Sequence, residues 1–266
     1  LLLAAAPAAA GPRAYVSDGS GDRIVVFDTA TGSVVTSIDV GQGPVGVATN
    51  PAGTRAYVTN LDDGSVDVID TATNTVIATV PVLSLPVGVA VNPAGTLVYI
   101  ANLSSSILSV IDTAVNAVVG DVPVGNGPAG VAIHPSGEPG YAANSLDGTV
   151  TVFDPVTGGT LDTIPVGSQP TGVAVGPDGS RVYVNNHGSG SVSVIDAATN
   201  AVVDTVTVGS LPSGIAAGRR GWVANGNAAG SGSAPATGGR RPPVAVVQGA
   251  AAGPHPPAPQ RPPDGP

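Results

Sequence analysis

Tyr57-Val58-Thr59-Asn60 is one copy of a unit that returns every 42 residues along the chain. Four residue types keep this spacing through five units: Tyr15, Tyr57, Tyr99, Tyr141 and Tyr183; Pro44, Pro86, Pro128, Pro170 and Pro212; Gly46, Gly88, Gly130, Gly172 and Gly214; and Asp28, Asp70, Asp112, Asp154 and Asp196. Each unit contains four short runs rich in Val and Ile, separated by turn residues such as Asn92-Pro93-Ala94-Gly95,. A period of this length with four strand-like runs predicts an all-β fold, a β-propeller of four-stranded antiparallel blades.

The first strand of each unit is predicted to lie nearest the propeller axis. In one unit it reads Pro86-Val87-Gly88-Val89-Ala90-Val91. Strands that converge on an axis leave room only for Gly, Ala and Val, because larger side chains would collide there. The tyrosine of the second strand is then expected to pack one blade against the next. The aspartate that ends the third strand is expected to shape a turn by accepting hydrogen bonds from the backbone.

Five full periods predict about five blades, and two arrangements stay open. Residues 212–217 could pair with residues 13–18 and complete the first blade, which would close a five-bladed ring and remove two sheet edges. Alternatively, the blades form an arc of a larger propeller, which the extra strand-like run around Trp222 favours.

The chain divides into three segments by composition. Residues 1–11 read as the apolar end of a truncated secretory signal peptide, or as an Ala-rich leader,. Residues 12–227 are the predicted propeller. Residues 228–266 are mostly Gly, Ala and Pro, a composition that cannot bury enough apolar surface to fold, and they are predicted to be a disordered tail,.

Charge and composition exclude some partners. The net charge is −9 at pH 7 and the chain has no Cys. An acidic protein opposes a phosphate backbone, so nucleic acid is not an expected partner. Without Cys there is no disulfide or thiolate metal site, and no segment of the sequence is a transmembrane candidate.

The repeated Tyr-x-x-Asn stretches resemble the YVTN-repeat β-propeller family. They are Tyr-Val-Thr-Asn at 57–60, Tyr-Ile-Ala-Asn at 99–102, Tyr-Ala-Ala-Asn at 141–144, Tyr-Val-Asn-Asn at 183–186 and Trp-Val-Ala-Asn at 222–225. The resemblance covers residues 13 to about 226 and implies a propeller, usually seven-bladed, on cell surfaces or in extracytoplasmic space. This chain departs from that pattern because it holds five full periods. Tyr15-Val16-Ser17-Asp18, with the run that ends at Asp28, also resembles NHL-type repeats.

Residues that could perform chemistry do not converge in the sequence. The predicted inner strands contain no acid, base or metal ligand. His134 and His187 fall in different loops of different units, so each is predicted to be a surface turn residue, and Glu138 has no partner carboxylate. Asp-rich hairpins at 18–22, 61–64 and 146–148 lack the ligand series of an EF-hand and are predicted to be tight turns. We therefore assign no catalytic, metal-binding or cofactor-binding residue and no cofactor.

Variation among the units indicates a binding face. The turns after the first and third strands stay similar, whereas the loops after the second and fourth strands differ, and these variable loops emerge on one face of an up-and-down blade. The candidate residues are Gln42, Asp62, Asp63, Leu85, Asn126, Asp147, Gln169, His187 and Leu211. Apolar residues at loop tips, such as Leu85 and Leu211, forgo about 1–2 kcal/mol of burial unless something covers them. Drift at exposed turns is the alternative explanation.

The sequence thus predicts a secreted or cell-surface propeller that acts as a binding scaffold for an unknown protein or carbohydrate ligand. The alternatives are a propeller-type hydrolase or lyase, lactonase-like, with an unidentified site, and a fragment without independent function. Fold alone does not decide among them.

Overall fold

The computed structural model of the chain describes residues 13–217, 221–225 and 244–248. The leader predicted at residues 1–11 lies outside these residues, as does most of the tail predicted at 228–266. The described residues form 22 β-strands, and they include no helix long and apolar enough to cross a membrane.

The strands form consecutive sheets that we number as blades. Blade 1 has three strands: β1 (Arg13–Asp18), β2 (Arg23–Asp28) and β3 (Val34–Asp39). Blade 2 contains β4 (Pro44–Thr49), β5 (Arg55–Asn60), β6 (Ser65–Asp70) and β7 (Thr75–Pro81). Blade 3 contains β8 (Pro86–Val91), β9 (Leu97–Asn102), β10 (Ile107–Asp112) and β11 (Ala117–Pro123).

The next two blades repeat the four-stranded arrangement. Blade 4 contains β12 (Pro128–Ile133), β13 (Gly140–Asn144), β14 (Thr149–Phe153) and β15 (Thr160–Pro165). Blade 5 contains β16 (Pro170–Val175), β17 (Arg181–Asn186), β18 (Ser191–Asp196) and β19 (Ala201–Thr207). Blade 6 has three strands: β20 (Pro212–Ala216), β21 (Gly221–Asn225) and β22 (Val244–Gln248). In blades 2 to 5 every neighbouring pair is antiparallel, so the predicted four-stranded antiparallel unit with a 42-residue period is confirmed.

The first strands of successive blades pack directly on one another, in the series β4, β8, β12, β16 and β20. A Cβ atom on Gly88 would lie 2.6 Å from the carbonyl oxygen of Ala129 and 3.1 Å from Cα of Gly130. A Cβ atom on Gly130 would lie 2.9 Å from Cα of Gly172. Only glycine fits at this distance, which confirms that these strands need small residues because neighbouring backbones meet there.

Large side chains fill the space between blades farther from these first strands. Tyr57 of blade 2 is buried in one cluster with Val98 and Ile100 of blade 3. Tyr99 and Tyr141 take the same place between blades 3 and 4 and between blades 4 and 5. The fourth strands are mostly exposed, because each is the outer edge of its sheet. The predicted role of the tyrosines in packing blade against blade is confirmed.

The aspartate that ends a third strand shapes the turn that follows. Oδ1 of Asp70 accepts hydrogen bonds from the backbone N–H groups of Ala72 and Thr73, at 2.9 and 3.1 Å. Asp28, Asp154 and Asp196 accept the equivalent pair of bonds. The aspartate repeat is therefore explained by turn formation.

Of the two arrangements that the sequence leaves open, closure of a five-bladed ring by residues 212–217 is not the one observed. Strand β20 pairs with β21 in an antiparallel hairpin, and among the described residues β1 pairs only with β2. A hairpin between neighbouring segments closes a short loop, which costs less conformational entropy than joining the two ends of the chain.

Strand β22 lies in the segment for which the sequence predicts no ordered element. Its run Val244-Ala245-Val246-Val247-Gln248 pairs in parallel with β21. A run rich in Val has high strand propensity, and this run occupies the place that an antiparallel third strand takes in blades 2 to 5,. The prediction of disorder for the rest of residues 228–266 stays a prediction.

Candidate binding face

Two sets of loops emerge on one side of the blades, which we call the loop face. One set links the fourth strand of a blade to the first strand of the next, and the other joins the second and third strands. The turns after the first and third strands emerge on the opposite side, the turn face. All nine candidate residues lie on the loop face, because each belongs to one of its two sets of loops.

Backbone hydrogen bonds bring the candidate residues together in pairs within a blade. The N–H of Gln42 donates to Oδ2 of Asp63 at 2.7 Å. In blade 4, the N–H and the side-chain Nδ2 of Asn126 donate to Asp147, at 2.7 and 2.9 Å. In blade 5, the N–H of His187 donates to the carbonyl oxygen of Gln169 at 2.9 Å. Each linker loop is thus fixed to the hairpin beside it.

Leu85, Gln169 and Leu211 occupy one position of the repeat, at which the backbone is left-handed in every copy. Their φ angles are 56°, 50° and 54°, and those of Gly43 and Gly127 at the same position are both 64°. A left-handed backbone costs a non-glycine residue about 1–2 kcal/mol. The larger entropy that glycine loses on folding offsets about 0.5–1 kcal/mol of that difference. Leucine and glutamine at this position therefore add no stability to the turn relative to glycine.

The space above this position is filled by a side chain either of the hairpin or of the linker loop. In blade 2 a Cβ on Gly43 would lie 2.6 Å from Oδ2 of Asp62, and in blade 4 a Cβ on Gly127 would lie 2.7 Å from Cγ of Leu146. Blades 3 and 5 have the small residues Ser104 and Gly188 at the hairpin position and the larger residues Leu85 and Gln169 in the loop. In blades 2 to 5, one of the two positions therefore carries the larger side chain, which projects from the loop face.

Leu146 is a loop-face residue that sequence reasoning did not select. It is 75% exposed, more than Leu85 at 38% or Leu211 at 42%. Its position at the tip of the hairpin Leu146-Asp147-Gly148 is the feature of the sequence that could indicate a binding residue. The neighbouring aspartate and glycine, however, indicate an ordinary turn. The exposed leucines of the loop face are Leu83, Leu85, Leu146 and Leu211.

Carboxylates accompany these leucines on the loop face. Hydrogen bonds from the backbone N–H and then the side chain of Asn126 lower the pKa of Asp147, so its carboxylate is charged at neutral pH. Asp62 and Asp63 are exposed in the equivalent hairpin of blade 2. The face presents apolar side chains beside negative charge.

Four asparagines of the Tyr-x-x-Asn stretches lie beneath the loop face and are fully buried: Asn60, Asn102, Asn144 and Asn186. Nδ2 of Asn60 donates to Ser65 and Asp67 of the third strand, at 3.1 and 2.9 Å. Asn144 and Asn186 make equivalent bonds to third-strand hydroxyl groups. These residues tie the second strand to the third and support the loops above them.

The two described histidines lie on opposite faces. His134 is in a turn-face loop, where its Nε2 lies 3.0 Å from the carbonyl oxygen of Gly179 in the next blade. Nδ1 of His187 lies 3.2 Å from the carbonyl oxygen of Pro212 on the loop face. Within residues 13–217, 221–225 and 244–248, no group of three His, Asp or Glu residues is placed to hold a metal ion.

Repeated four-stranded antiparallel sheets with small, closely packed first strands define a protein of the β-propeller class. The chain is similar to Kuenenia stuttgartiensis hydrazine synthase, with 28% identity, a TM-score of 0.61 and coverage of 65% of this chain and 51% of that chain. It spans about half of that protein. It is also similar to a functionally unknown protein from Desulfotomaculum acetoxidans, with 20% identity, a TM-score of 0.68 and coverage of 76% and 68%, which supports the fold alone. No protein-family model and no curated protein matches the chain.

Proposed function

We propose that the protein is an extracytoplasmic propeller of the YVTN type that uses its loop face to bind a protein partner. The observation that carries this proposal is the presence of Leu85 and Leu211 at a left-handed backbone position where Gly43 and Gly127 also fit. These leucines cost backbone energy and stay exposed, so folding does not account for them. This supports a role in binding.

The chemistry of the loop face favours a protein partner over a sugar. Exposed leucines gain free energy when an apolar surface covers them, and neighbouring carboxylates favour basic groups at the rim of the contact. Leu85, Leu146 and Leu211 belong to three different blades, so an extended surface is needed to cover them together. The expected partner surface combines apolar and basic residues.

Replacing Leu85 and Leu211 together with glycine tests the proposal. The double variant relieves the left-handed strain, so we expect an unchanged or slightly higher midpoint of chemical denaturation. We also expect it to lose most capture of partners from the native extracellular fraction, measured by quantitative mass spectrometry of proteins retained on the immobilised chain.

Leu161→Ser is the matched control for this experiment. Leu161 is 60% exposed on the outer strand β15 of blade 4, away from the loop face. This variant should retain the same partners as the unchanged protein. Equal capture by the glycine double variant and the unchanged protein would remove the loop face as the binding surface.

The proposed extracytoplasmic location is supported by the apolar stretch Leu1–Ala10 and by the YVTN resemblance. Expression in the native host with a C-terminal tag, followed by fractionation and N-terminal sequencing, tests it. We expect secreted or surface-bound protein that begins near Gly11, and a cytosolic product would contradict the location.

A further inference from the structure

A cleft of about 440 Å³ opens between blades 2 and 3 on the turn face. Its lining includes Asn50, Arg55, Tyr57, Asp70, Thr71 and Thr113. Five of these residues belong to blade 2, and Thr113 lies in the turn after the third strand of blade 3. The volume falls in the range of about 300–1,000 Å³ that is usual for small-molecule sites.

The hydroxyl of Tyr57 has no hydrogen-bond partner among the described residues, although only 1% of the residue is exposed. The corresponding hydroxyls of two neighbouring blades are paired with the next blade: Tyr15 donates to Oδ1 of Asn74 at 3.2 Å, and Tyr99 donates to the carbonyl oxygen of Pro155 at 2.8 Å. Burial raises the pKa of Tyr57, so its hydroxyl is a protonated donor at neutral pH. The cleft is thus lined by a buried tyrosine whose hydroxyl has no protein partner among the described residues.

The rest of the lining supplies further donors and acceptors without net charge. Arg55 and Asp70 form an ion pair that cancels their charges. The hydroxyls of Thr71 and Thr113 donate to the carbonyl oxygens of Gly53 and Gly95, at 2.6 and 2.9 Å, and each keeps lone pairs that can accept a bond,. Only Nη1 of Arg55 takes part in the described bonds, so other guanidinium N–H groups can donate,.

The other described blades lack the full set of lining residues: blade 5 repeats Arg55, Tyr57 and Asp70 as Arg181, Tyr183 and Asp196, but has Gly176 and Ala197 in place of Asn50 and Thr71. Between blades 1 and 2, Oδ1 of Asn74 accepts hydrogen bonds from both Arg13 and Tyr15. These donors are therefore already paired within the protein. In blade 3, Leu97 stands where blade 2 has Arg55. Arg181 and Asp196 of blade 5 repeat the ion pair of Arg55 and Asp70 with nearly equal exposure, which provides a matched control.

We propose that this cleft binds a neutral polyhydroxylated molecule of about one or two sugar rings. Hydroxyl groups both donate and accept, which matches a lining of phenol, guanidinium and threonine groups. An anion would meet the Asp70 carboxylate and a cation would meet Arg55, so charge disfavours both. The site lies opposite the loop face and is independent of the protein partner proposed above.

Ligand-observed NMR and calorimetry on the full chain test the proposal. The probes are glucose, galactose, mannose, N-acetylglucosamine and maltose, with glucuronate, glucosamine and inorganic phosphate as charged comparisons. We expect at least one neutral sugar to bind. Tyr57→Phe should weaken that binding about fivefold, the effect of one hydrogen bond, without lowering stability, because the hydroxyl has no partner among the described residues.

Two further variants separate the cleft from general effects on the fold. Arg55→Leu introduces the residue found at the same position of blade 3 and should abolish detectable sugar binding. Arg181→Leu breaks the equivalent ion pair in blade 5 and should leave binding unchanged. Absence of binding by every neutral sugar, preference for a charged probe, or equal binding by the Tyr57→Phe variant would each overturn the proposal.

Discussion

Identical residues of the repeat make different contacts in different blades. The hydroxyl of Tyr99 donates to the carbonyl oxygen of Pro155, that of Tyr57 faces the cleft, and that of Tyr141 is buried with no partner among the described residues. The phenol ring packs between blades in each case. Packing of the ring is therefore the property that the repeat preserves, and the hydroxyl group varies in its role.

Removing the hydroxyl should have opposite consequences at two of these sites. Tyr99→Phe leaves the carbonyl oxygen of Pro155 without its donor and should lower the free energy of unfolding by about 0.5–1.5 kcal/mol. Tyr141→Phe removes a buried hydroxyl without a partner in the described part of the chain and should be neutral or stabilising,. Denaturant midpoints of the two variants, measured side by side, check this. A larger loss of stability for Tyr141→Phe than for Tyr99→Phe would contradict it.

The first strand is the element that sets how closely blades approach. In blade 3, Gly88 of this strand cannot take a side chain without moving the backbone. The carbonyl oxygen of Ala129 and Cα of Gly130 in the next first strand are already at contact distance. The outer strand of blade 3 has an exposed glycine, Gly120, and no described residue lies within 4 Å of a Cβ added there. The two positions differ in the space available to a side chain.

Alanine substitutions at these two glycines should separate the inner strand from the outer strand. Gly88→Ala forces β8 away from β12 and should cost about 1–3 kcal/mol, the usual effect of overpacking. Gly120→Ala meets no atom and restricts the unfolded chain, so it should be neutral or add up to about 1 kcal/mol. Thermal or chemical denaturation of both variants provides the test. Equal stability of the two variants would mean that the inner strands can move apart freely.

The sequence predicts the strands well because each depends on local patterning. The first-strand run quoted at 86–91 corresponds to β8 (Pro86–Val91). The sequence leaves ring closure open, although the run around Trp222 favours an open arc, because closure depends on competition between β1 and β21 for the edge of β20. The left-handed position was also hidden, since Leu85 and Leu211 are not residues that usually indicate such a backbone,. The cleft depends on how side chains pack across blades, which periodicity does not report.

Acidic turn residues spread over the blades link the stability of the protein to pH. Backbone N–H groups lower the pKa of Asp28, Asp70, Asp147 and Asp178 below the usual 3.8. An unfolded chain, in which these pKa values return to about 3.8, therefore binds protons first as the pH falls. The contribution of these carboxylates is complete above pH 3.8 and is lost as the pH falls through their lower folded values.

We expect the denaturation midpoint to fall steeply below about pH 4 and to vary little between about pH 5 and 7. Asp28→Asn should reduce the steepness, because an amide oxygen can accept the bonds from Ala30 and Thr31 but does not titrate. Denaturation curves at half-unit pH intervals give the measurement. A midpoint that rises toward pH 3 would show that relief of repulsion among the acidic residues outweighs the loss of these turn contacts.

On the loop face of blades 2 to 5, the larger side chain stands either in the linker loop or in the hairpin beside it. Each such pair of positions can therefore be varied as a unit. In blade 2 the small member, Gly43, is in the loop and the large member, Asp62, is in the hairpin, whereas in blade 3 the order is Leu85 and Ser104. Changing both members together keeps one projecting side chain per blade and leaves the strands untouched. The surface chemistry of this protein can therefore diversify through paired substitutions, in evolution or by engineering, while the scaffold beneath stays the same.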